Sequence, residues 1–206
     1  MTELLLVRHG ESQANLEQRW ASWEAEVPLS PQGQAEAEAL ARRMAFERGV
    51  DALYASPLLR AQQTAEHIAR ALGLSPIMLP GLCEINVGQV AGLTNAEFAQ
   101  SLPDVHARWQ NRDDSEYTWP GGEKRADFFH RVAQTVEGIV AAHPAGKVAV
   151  VCHGGVIRAT LAHYLPATHG QWWAYRLHTG SLTRLLVAPD GNALLALNEH
   201  EELSAD

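Results

Sequence analysis

The chain reads as an α/β protein, because short apolar runs alternate with longer stretches of helical periodicity and two of the runs end alike. Leu4-Leu5-Leu6-Val7 runs straight into Arg8-His9-Gly10, and Lys147-Val148-Ala149-Val150-Val151-Cys152 into His153-Gly154-Gly155. Nearly unbroken apolar runs of this length are strands covered on both faces, as in a sheet packed between helices. In an open α/β sheet, ligands bind at the carboxyl ends of the central strands. A cation and an imidazole placed there, beside a glycine that lets the backbone turn tightly, point to a site for an anion and a nucleophile. Packing could make Arg8 an exposed charge and His9 a turn residue. It does not readily give two strands the same ending.

After the opening strand, residues 12–27 are polar and contain Trp20 and Trp23, which reads as a loop or short helix. Ser30 as N-cap and Pro31 in the first helical position then start a helix. Its apolar positions are Ala37, Leu40, Ala41, Met44 and Ala45, and it runs to about Arg48 before Gly49. A short strand follows over Ala52-Leu53-Tyr54-Ala55. Ser56-Pro57 repeats the cap-and-proline start for a helix reaching Leu72, stopped by Gly73. Arg60 falls in its first turn, where the helix dipole disfavours a cation, so Arg60 reads as an anion ligand unless it snorkels to solvent.

Ile77-Met78-Leu79 is a third short strand, ended by Pro80-Gly81. Glu84 lies between apolar neighbours and is either a loop charge or a partly desolvated acid. Thr94 to Gln110 gives one or two short helices broken at Pro103. Asn111 to Tyr117 is a charged loop, and Pro120-Gly121-Gly122 a sharp turn. We read residues about 90–120 as an insertion over the site. A long amphipathic helix spans Glu123 to about Ala142, its apolar face set by Ala126, Phe129, Val132, Ala133, Val136 and Ile139/Val140. After the His153 strand a helix runs to about Leu165. Strands over Ser181–Val187 and Leu194–Asn198 close the sheet, and Pro189-Asp190-Gly191 between them favours a hairpin.

Bulk properties narrow the function. At 206 residues the chain suits one domain, 1–206, with a sizeable core, and 46% hydrophobic with 19% charged residues is the balance of a soluble globular protein. A net charge of −8 argues against nucleic acid as a partner and repels anions at long range. A phosphate substrate would need a local cluster of cations. Cys83 and Cys152 form no CxxC pair and read as small core residues in a reducing compartment. The sequence has no basic leader, and no run approaches the roughly 18 apolar residues of a membrane helix. The expected setting is cytoplasmic, with no membrane partner.

Arg8-His9-Gly10-Glu11-Ser12, Ser56-Pro57-Leu58-Leu59-Arg60-Ala61-Gln62-Gln63-Thr64-Ala65, Glu84 and His153-Gly154-Gly155 stand in that order. Together they resemble the histidine phosphatase superfamily, the phosphoglycerate mutase-like group, on its phosphatase branch. Asn15, Pro28-Leu29-Ser30-Pro31-Gln32-Gly33 and Pro120-Gly121-Gly122-Glu123 fit its secondary motifs, and the likeness runs from residue 4 to about 187. The resemblance implies a three-layer α/β/α sandwich around a mostly parallel central sheet. It also implies phosphohistidine chemistry on a small-molecule phosphomonoester, with no metal and no other cofactor. His9 would be the nucleophile, Arg8, Arg60 and His153 would surround the phosphoryl oxygens, and Glu84 would serve as acid and then base. Asn15 and the backbone of Gly154 would add phosphate contacts. Two places depart from the family pattern. Gln89-Val90-Ala91-Gly92 stands where a Trp-Glu-Gly is common, and Glu123-Lys124 where Glu-Ser is. Both lie where substrate groups beyond the phosphate would be read.

The expected function is therefore a metal-independent phosphomonoester hydrolase. A mutase-type phosphotransferase would use the same residues in a longer chain with further insertions. A non-catalytic phosphate-binding domain would usually have lost the nucleophile or an arginine. A metal hydrolase would need a ligand motif, and His200-Glu201-Glu202-Leu203-Ser204 lacks the second histidine of HExxH. Phosphosugars, phosphoglycerates, cobalamin-precursor phosphates and generic monoesters stay open as substrates. The oligomeric state is open too, a homodimer included. All six tryptophans fall outside the expected strands. Each could anchor its own loop, or some could form an aromatic rim that favours a bulky or planar leaving group.

Overall fold

The computed structural model describes residues 1–21, 23, 26–165 and 171–200. Six strands form one sheet: β1 (Thr2–Arg8), β2 (Val50–Ala55), β3 (Pro76–Met78), β4 (Lys147–Cys152), β5 (Leu182–Val187) and β6 (Ala193–Glu199), in the order β3-β2-β4-β1-β5-β6. β1 to β4 pair in parallel, whereas β5 and β6 add an antiparallel edge. The helices are α1 (Gln13–Leu16), α2 (Pro31–Met44), α3 (Leu59–Leu72), α4 (Asn95–Ser101), α5 (Pro103–Gln110), α6 (Arg125–Ala142) and α7 (Gly154–Tyr164).

The apolar runs of β1 and β4 are continuous because each strand feeds two cores. Alternate side chains of a strand point to opposite faces. Leu4, Leu6, Val148, Val150 and Cys152 pack under α6 and α7, against Phe128, Val132, Val136, Val156 and Leu161. Leu5, Val7, Ala149, Val151, Leu53 and Ala55 pack on the other face against Leu40 and Met44 of α2 and Ala61, Ala65 and Ile68 of α3. The result is the three-layer α/β/α sandwich expected. A third cluster, Val87, Val90, Phe98, Tyr117 and Trp119, lies apart from the sheet and holds α4, α5 and the following loop together. No helix among the described residues is long and apolar enough to cross a membrane.

Four local readings change. α2 ends at Met44, earlier than its periodicity extends, and Ala45 is an exposed C-cap. Beyond it the chain leaves the sheet so that Glu47 can meet Arg184 and Lys147. Ser56 does not cap α3, whose N-cap is Leu58 without a side-chain bond. The buried stripe of α6 is Arg125, Phe128, Val132, Val136 and Ile139, about one residue round from the expected face at its start, and Phe129 is only half-buried. Gly10 is not needed for turning. A Cβ there would come within 2.3 Å of the Gly33 carbonyl oxygen, and one on Gly33 within 1.9 Å of the Glu11 oxygen. The two motif glycines let backbone pack on backbone, which brings the start of α2 against the end of β1.

Candidate active site

Sheet register builds the centre of the site. Arg8 pairs with Cys152 across the parallel β1–β4 ladder, so the next residues, His9 and His153, emerge side by side. Their ring centroids are 5.0 Å apart. The His9 N–H continues the ladder to the Cys152 carbonyl at 3.0 Å, and the His9 carbonyl accepts from Gly180 at 3.1 Å. His9 is 4% exposed and His153 is fully buried. His153 packs directly beside His9.

The two rings are anchored by different nitrogens. His9 Nδ1 is 2.6 Å from the Gly10 carbonyl oxygen. A carbonyl only accepts, so Nδ1 carries the proton and Nε2 keeps its lone pair. His153 instead contacts the Ser56 hydroxyl through Nε2, at 2.8 Å. Its Nδ1 is buried without a partner. Burial, with Arg60 and Arg8 nearby, holds the His9 imidazolium form well below the usual histidine range. Burial and Arg60 do the same to His153.

Arg60, from the first turn of α3, is 2% exposed. It does not snorkel. The Thr64 hydroxyl donates to the Arg60 carbonyl at 2.8 Å and accepts the Gly10 N–H at 3.1 Å, fixing the start of α3 beside the loop that carries His9. The Arg8 guanidinium donates to the Leu177 carbonyl at 2.5 Å, while its Nε is buried without a partner. Loss of solvent around Arg8 and Arg60 lowers the proton affinity of both guanidinium groups, yet arginine stays charged. An anion is the group that answers such a pair.

Glu84 is half-buried, with Oε2 accepting the Gly155 N–H at 2.8 Å and Oε1 the Ile85 N–H at 3.0 Å. Gly155 has to be glycine for this contact, since a Cβ would lie 2.1 Å from Glu84 Oε1. Arg131 secures the loop, donating to the carbonyls of Gly81 and Cys83 while forming a two-pronged bond to Glu123. Trp23 adds an indole N–H to the Glu84 carbonyl at 2.5 Å. Asn15 spends its side-chain oxygen on capping α1, accepting from the Ser12 N–H and hydroxyl, which leaves its amide nitrogen available to a ligand.

These residues border a cavity of about 400 Å³. Arg8, His9, Asn15, Arg60, Glu84 and Gly154 all line it, so the structure brings the expected set together, with His153 directly behind. Trp20, Trp109, Trp119, Trp172 and Trp173 line it as well. Trp20 also packs edge to face with Phe98, and Trp109 and Trp119 pack tilted against it, so the three anchor their loops as well as forming a wall. Arg112, Arg125 and Arg158 line the cavity too and went unread in the sequence. Arg158 had a signal, since it lies one helical turn beyond the glycine pair and so shares its face. Arg125 had none. It is buried at the start of α6 and donates to the carbonyls of Trp109, Asn111, Arg112 and Asp114.

Known proteins resemble the chain in sequence and in fold. Over 196 residues the chain is 35% identical to a bifunctional protein of Mycobacterium tuberculosis, covering 95% of this chain and 53% of that one. It thus spans about half the length of that relative. It is 30% identical over 198 residues to phosphoserine phosphatase 1 of Hydrogenobacter thermophilus, covering 96% of this chain and 92% of the other. The solved structure of a mycobacterial glucosyl-3-phosphoglycerate phosphatase superposes with a TM-score of 0.84 at 28% identity, over 95% of this chain and 98% of that one. Residues 4–200 match the histidine phosphatase superfamily, branch 1, and the chain belongs to that family.

Proposed function

We propose that this chain hydrolyses phosphomonoesters through a phosphohistidine on His9, without a metal. The observation that carries this reading is a buried imidazole anchored through Nδ1, its Nε2 lone pair free, with the buried Arg60 and half-buried Arg8 near enough to disfavour its protonation. In the first step Nε2 attacks phosphorus in line, the N–P bond forms, and the bond to the leaving oxygen breaks while Glu84 gives that oxygen its proton. In the second step Glu84 takes a proton from water as the water oxygen attacks phosphorus. The N–P bond breaks and its electron pair returns to Nε2. Each Glu84 oxygen accepts one N–H and keeps a lone pair for this traffic.

Arg8 and Arg60 hold the non-bridging oxygens, where charge spreads in the transition state. On this reading the Ser56 hydroxyl gives its proton to His153 Nε2 at 2.8 Å rather than to the Cys83 sulfur at 4.0 Å, and accepts the Leu58 N–H at 3.3 Å. That leaves Nδ1–H of His153 as the orphaned donor for a third phosphoryl oxygen. Asn15 Nδ2 and the amide of Gly154, at the start of α7, supply further donors. Residues about 90–120 act as an insertion over the site within one domain, which fits their separate small core and the place of Trp109, Arg112 and Trp119 on the cavity wall. The free, buried cysteines fit a cytoplasmic setting.

The test is hydrolysis of p-nitrophenyl phosphate in excess EDTA by wild type and His9→Ala. Activity that survives the chelator and is lost in the variant supports the reading, as does phosphate label trapped on His9 after an acid-free quench. Activity lost to EDTA, or kept without His9, refutes it.

A further inference from the structure

The chain ahead of β5 touches the end of β1 three times. The Arg8 N–H donates to the Ser181 carbonyl at 3.0 Å, and the Gly180 N–H donates to the His9 carbonyl at 3.1 Å. Both bonds extend the antiparallel β1–β5 ladder. The third is the bond from the Arg8 guanidinium to the Leu177 carbonyl, at 2.5 Å. Leu177 lies before β5 begins, where no ladder fixes a carbonyl. Something else has to hold it.

That hold comes from Asn198, on the edge strand. Leu182 faces Glu199 while Arg184 faces Ala196, so over this step β6 carries one residue more than β5. A bulge of this kind re-aims a side chain. Asn198 sits in it with a φ of 57°, the left-handed region that asparagine enters more readily than most residues. Asparagine is a poor strand former, so its place here asks for a reason. Its amide grips the chain on both sides of Leu177. Oδ1 accepts the His178 N–H at 2.9 Å, and Nδ2 donates to the Arg176 carbonyl. The Ser181 hydroxyl is 3.2 Å from the same Oδ1 but 2.6 Å from the His178 carbonyl, which takes its proton. The rings of His178 and His200 stack 5.5 Å apart, and His200 Nδ1 meets the Asn198 carbonyl at 2.8 Å. Residues 176–178 are thereby strapped to β6.

We propose that Asn198 is a positioning residue for Arg8, holding the Leu177 carbonyl where it aims the Arg8 guanidinium at the phosphoryl oxygens. This rests on the phosphatase reading and extends its machinery to the far edge of the sheet. A matched comparison stands at the turn of the same hairpin. Asn192 accepts the Ala188 N–H at 3.2 Å and donates to the Tyr164 carbonyl at 2.9 Å, a clamp of the same kind with no bond to Arg8 or its strap.

The test is a double-mutant cycle between Asn198 and Arg8. Asn198→Gly keeps the left-handed backbone and removes the amide. Arg8→Met keeps much of the side chain's bulk and removes its donors. The readouts are kcat and KM for p-nitrophenyl phosphate and the Kd for inorganic phosphate by calorimetry. Asn198→Gly is expected to lower kcat/KM by about 10-fold, mostly through kcat, and to weaken phosphate binding several-fold. In the Arg8→Met background the same change should move either quantity by less than about 2-fold. The strap also carries the Tyr175 carbonyl that accepts from Arg158, and an effect routed that way would persist without Arg8. Asn192→Ala should lower the urea midpoint and leave kcat/KM unchanged. If Asn198→Gly fails to fold, Asn198→Asp takes its place in the cycle, since it keeps the acceptor and removes the donor. An unchanged kcat/KM, equal losses in both backgrounds, or an equal loss in Asn192→Ala overturns the positioning role and leaves the phosphatase reading standing. Wild type that neither hydrolyses the ester nor takes label on His9 overturns both.

Discussion

The two histidines stand at the ends of adjacent parallel strands, each between apolar strand and glycine, and yet they are not equivalent. His9 is tied down through Nδ1 to a backbone carbonyl, and His153 through Nε2 to a serine hydroxyl. A carbonyl dictates a proton on the nitrogen it meets, whereas a hydroxyl can give one. The first arrangement exposes a lone pair and the second leaves a donor. On the proposed reading, what separates nucleophile from phosphate ligand in this pair is therefore the partner behind each ring, since residue type, strand end and burial are shared.

The harshest way to break the asymmetry is to remove the proposed nucleophile. His9→Ala should lower kcat/KM for p-nitrophenyl phosphate by roughly 10⁴-fold or more, since a covalent route is lost outright. No phosphate label should be transferred to His153. Label found on His153 in the variant would show that the two strand ends can exchange roles.

Removing the donor is milder. His153→Ala should cost on the order of 10²- to 10³-fold in kcat, the range for one preorganised transition-state donor. The variant should still accumulate label on His9, more slowly. Loss comparable to that of His9→Ala would mean that His153 does more than donate.

How much of this could be read in the sequence follows the same division. The strand ends were legible because an apolar run, a histidine and a glycine are contiguous, and contiguity survives folding. Arg60 was legible as a cation misplaced in a helix's first turn. Ser56 was misread as a cap because its spacing to Pro57 and Arg60 suits a cap, and nothing nearby in the chain reveals that β4 lies next to β2. That neighbour relation alone brings His153 to Ser56, 97 residues away. Arg112 and Arg125 were hidden for a related reason. Their roles come from how the 85–125 segment folds on its own small core, and polar loops carry no periodicity to show it.

Both rings also tie stability to pH. Burial and the neighbouring arginines depress their proton affinity in the folded state, while the unfolded chain takes up protons near the ordinary value of about 6.5. Below that value the unfolded state binds more protons than the folded one, so stability falls as pH falls. The contribution is intact above about 6.5 and is lost progressively down to the depressed folded values. Each histidine should add a slope of up to about 1.4 kcal/mol per pH unit. Urea midpoints at pH 7.5 and 5.5 measure it. His153→Gln should flatten the dependence by about one histidine's share. An unchanged slope would mean that His153 becomes protonated in the fold as readily as in the unfolded chain.

The finest probe leaves both histidines in place and removes only the partner behind one of them. Ser56 is fully buried, and its hydroxyl meets three polar neighbours, His153 Nε2 at 2.8 Å, the Leu58 N–H at 3.3 Å and Cys83 Sγ at 4.0 Å. Ser56→Ala deletes one oxygen and creates little space, so the fold should persist. The His153 ring then loses the bond that selects its Nδ1–H form. Both neutral tautomers become populated, and the fraction presenting a donor toward the phosphoryl group drops. The expected cost is about 10-fold in kcat, equivalent to roughly 1.4 kcal/mol. A merely structural serine could give a similar loss, so the deciding readout is ring ¹⁵N chemical shifts. Wild type should show His153 protonated on Nδ1, and Ser56→Ala a mixture, with His9 unchanged in both because its anchor is backbone. Were His153 to keep one tautomer without Ser56, the asymmetry between the two strand ends would have to come from the strand ends themselves.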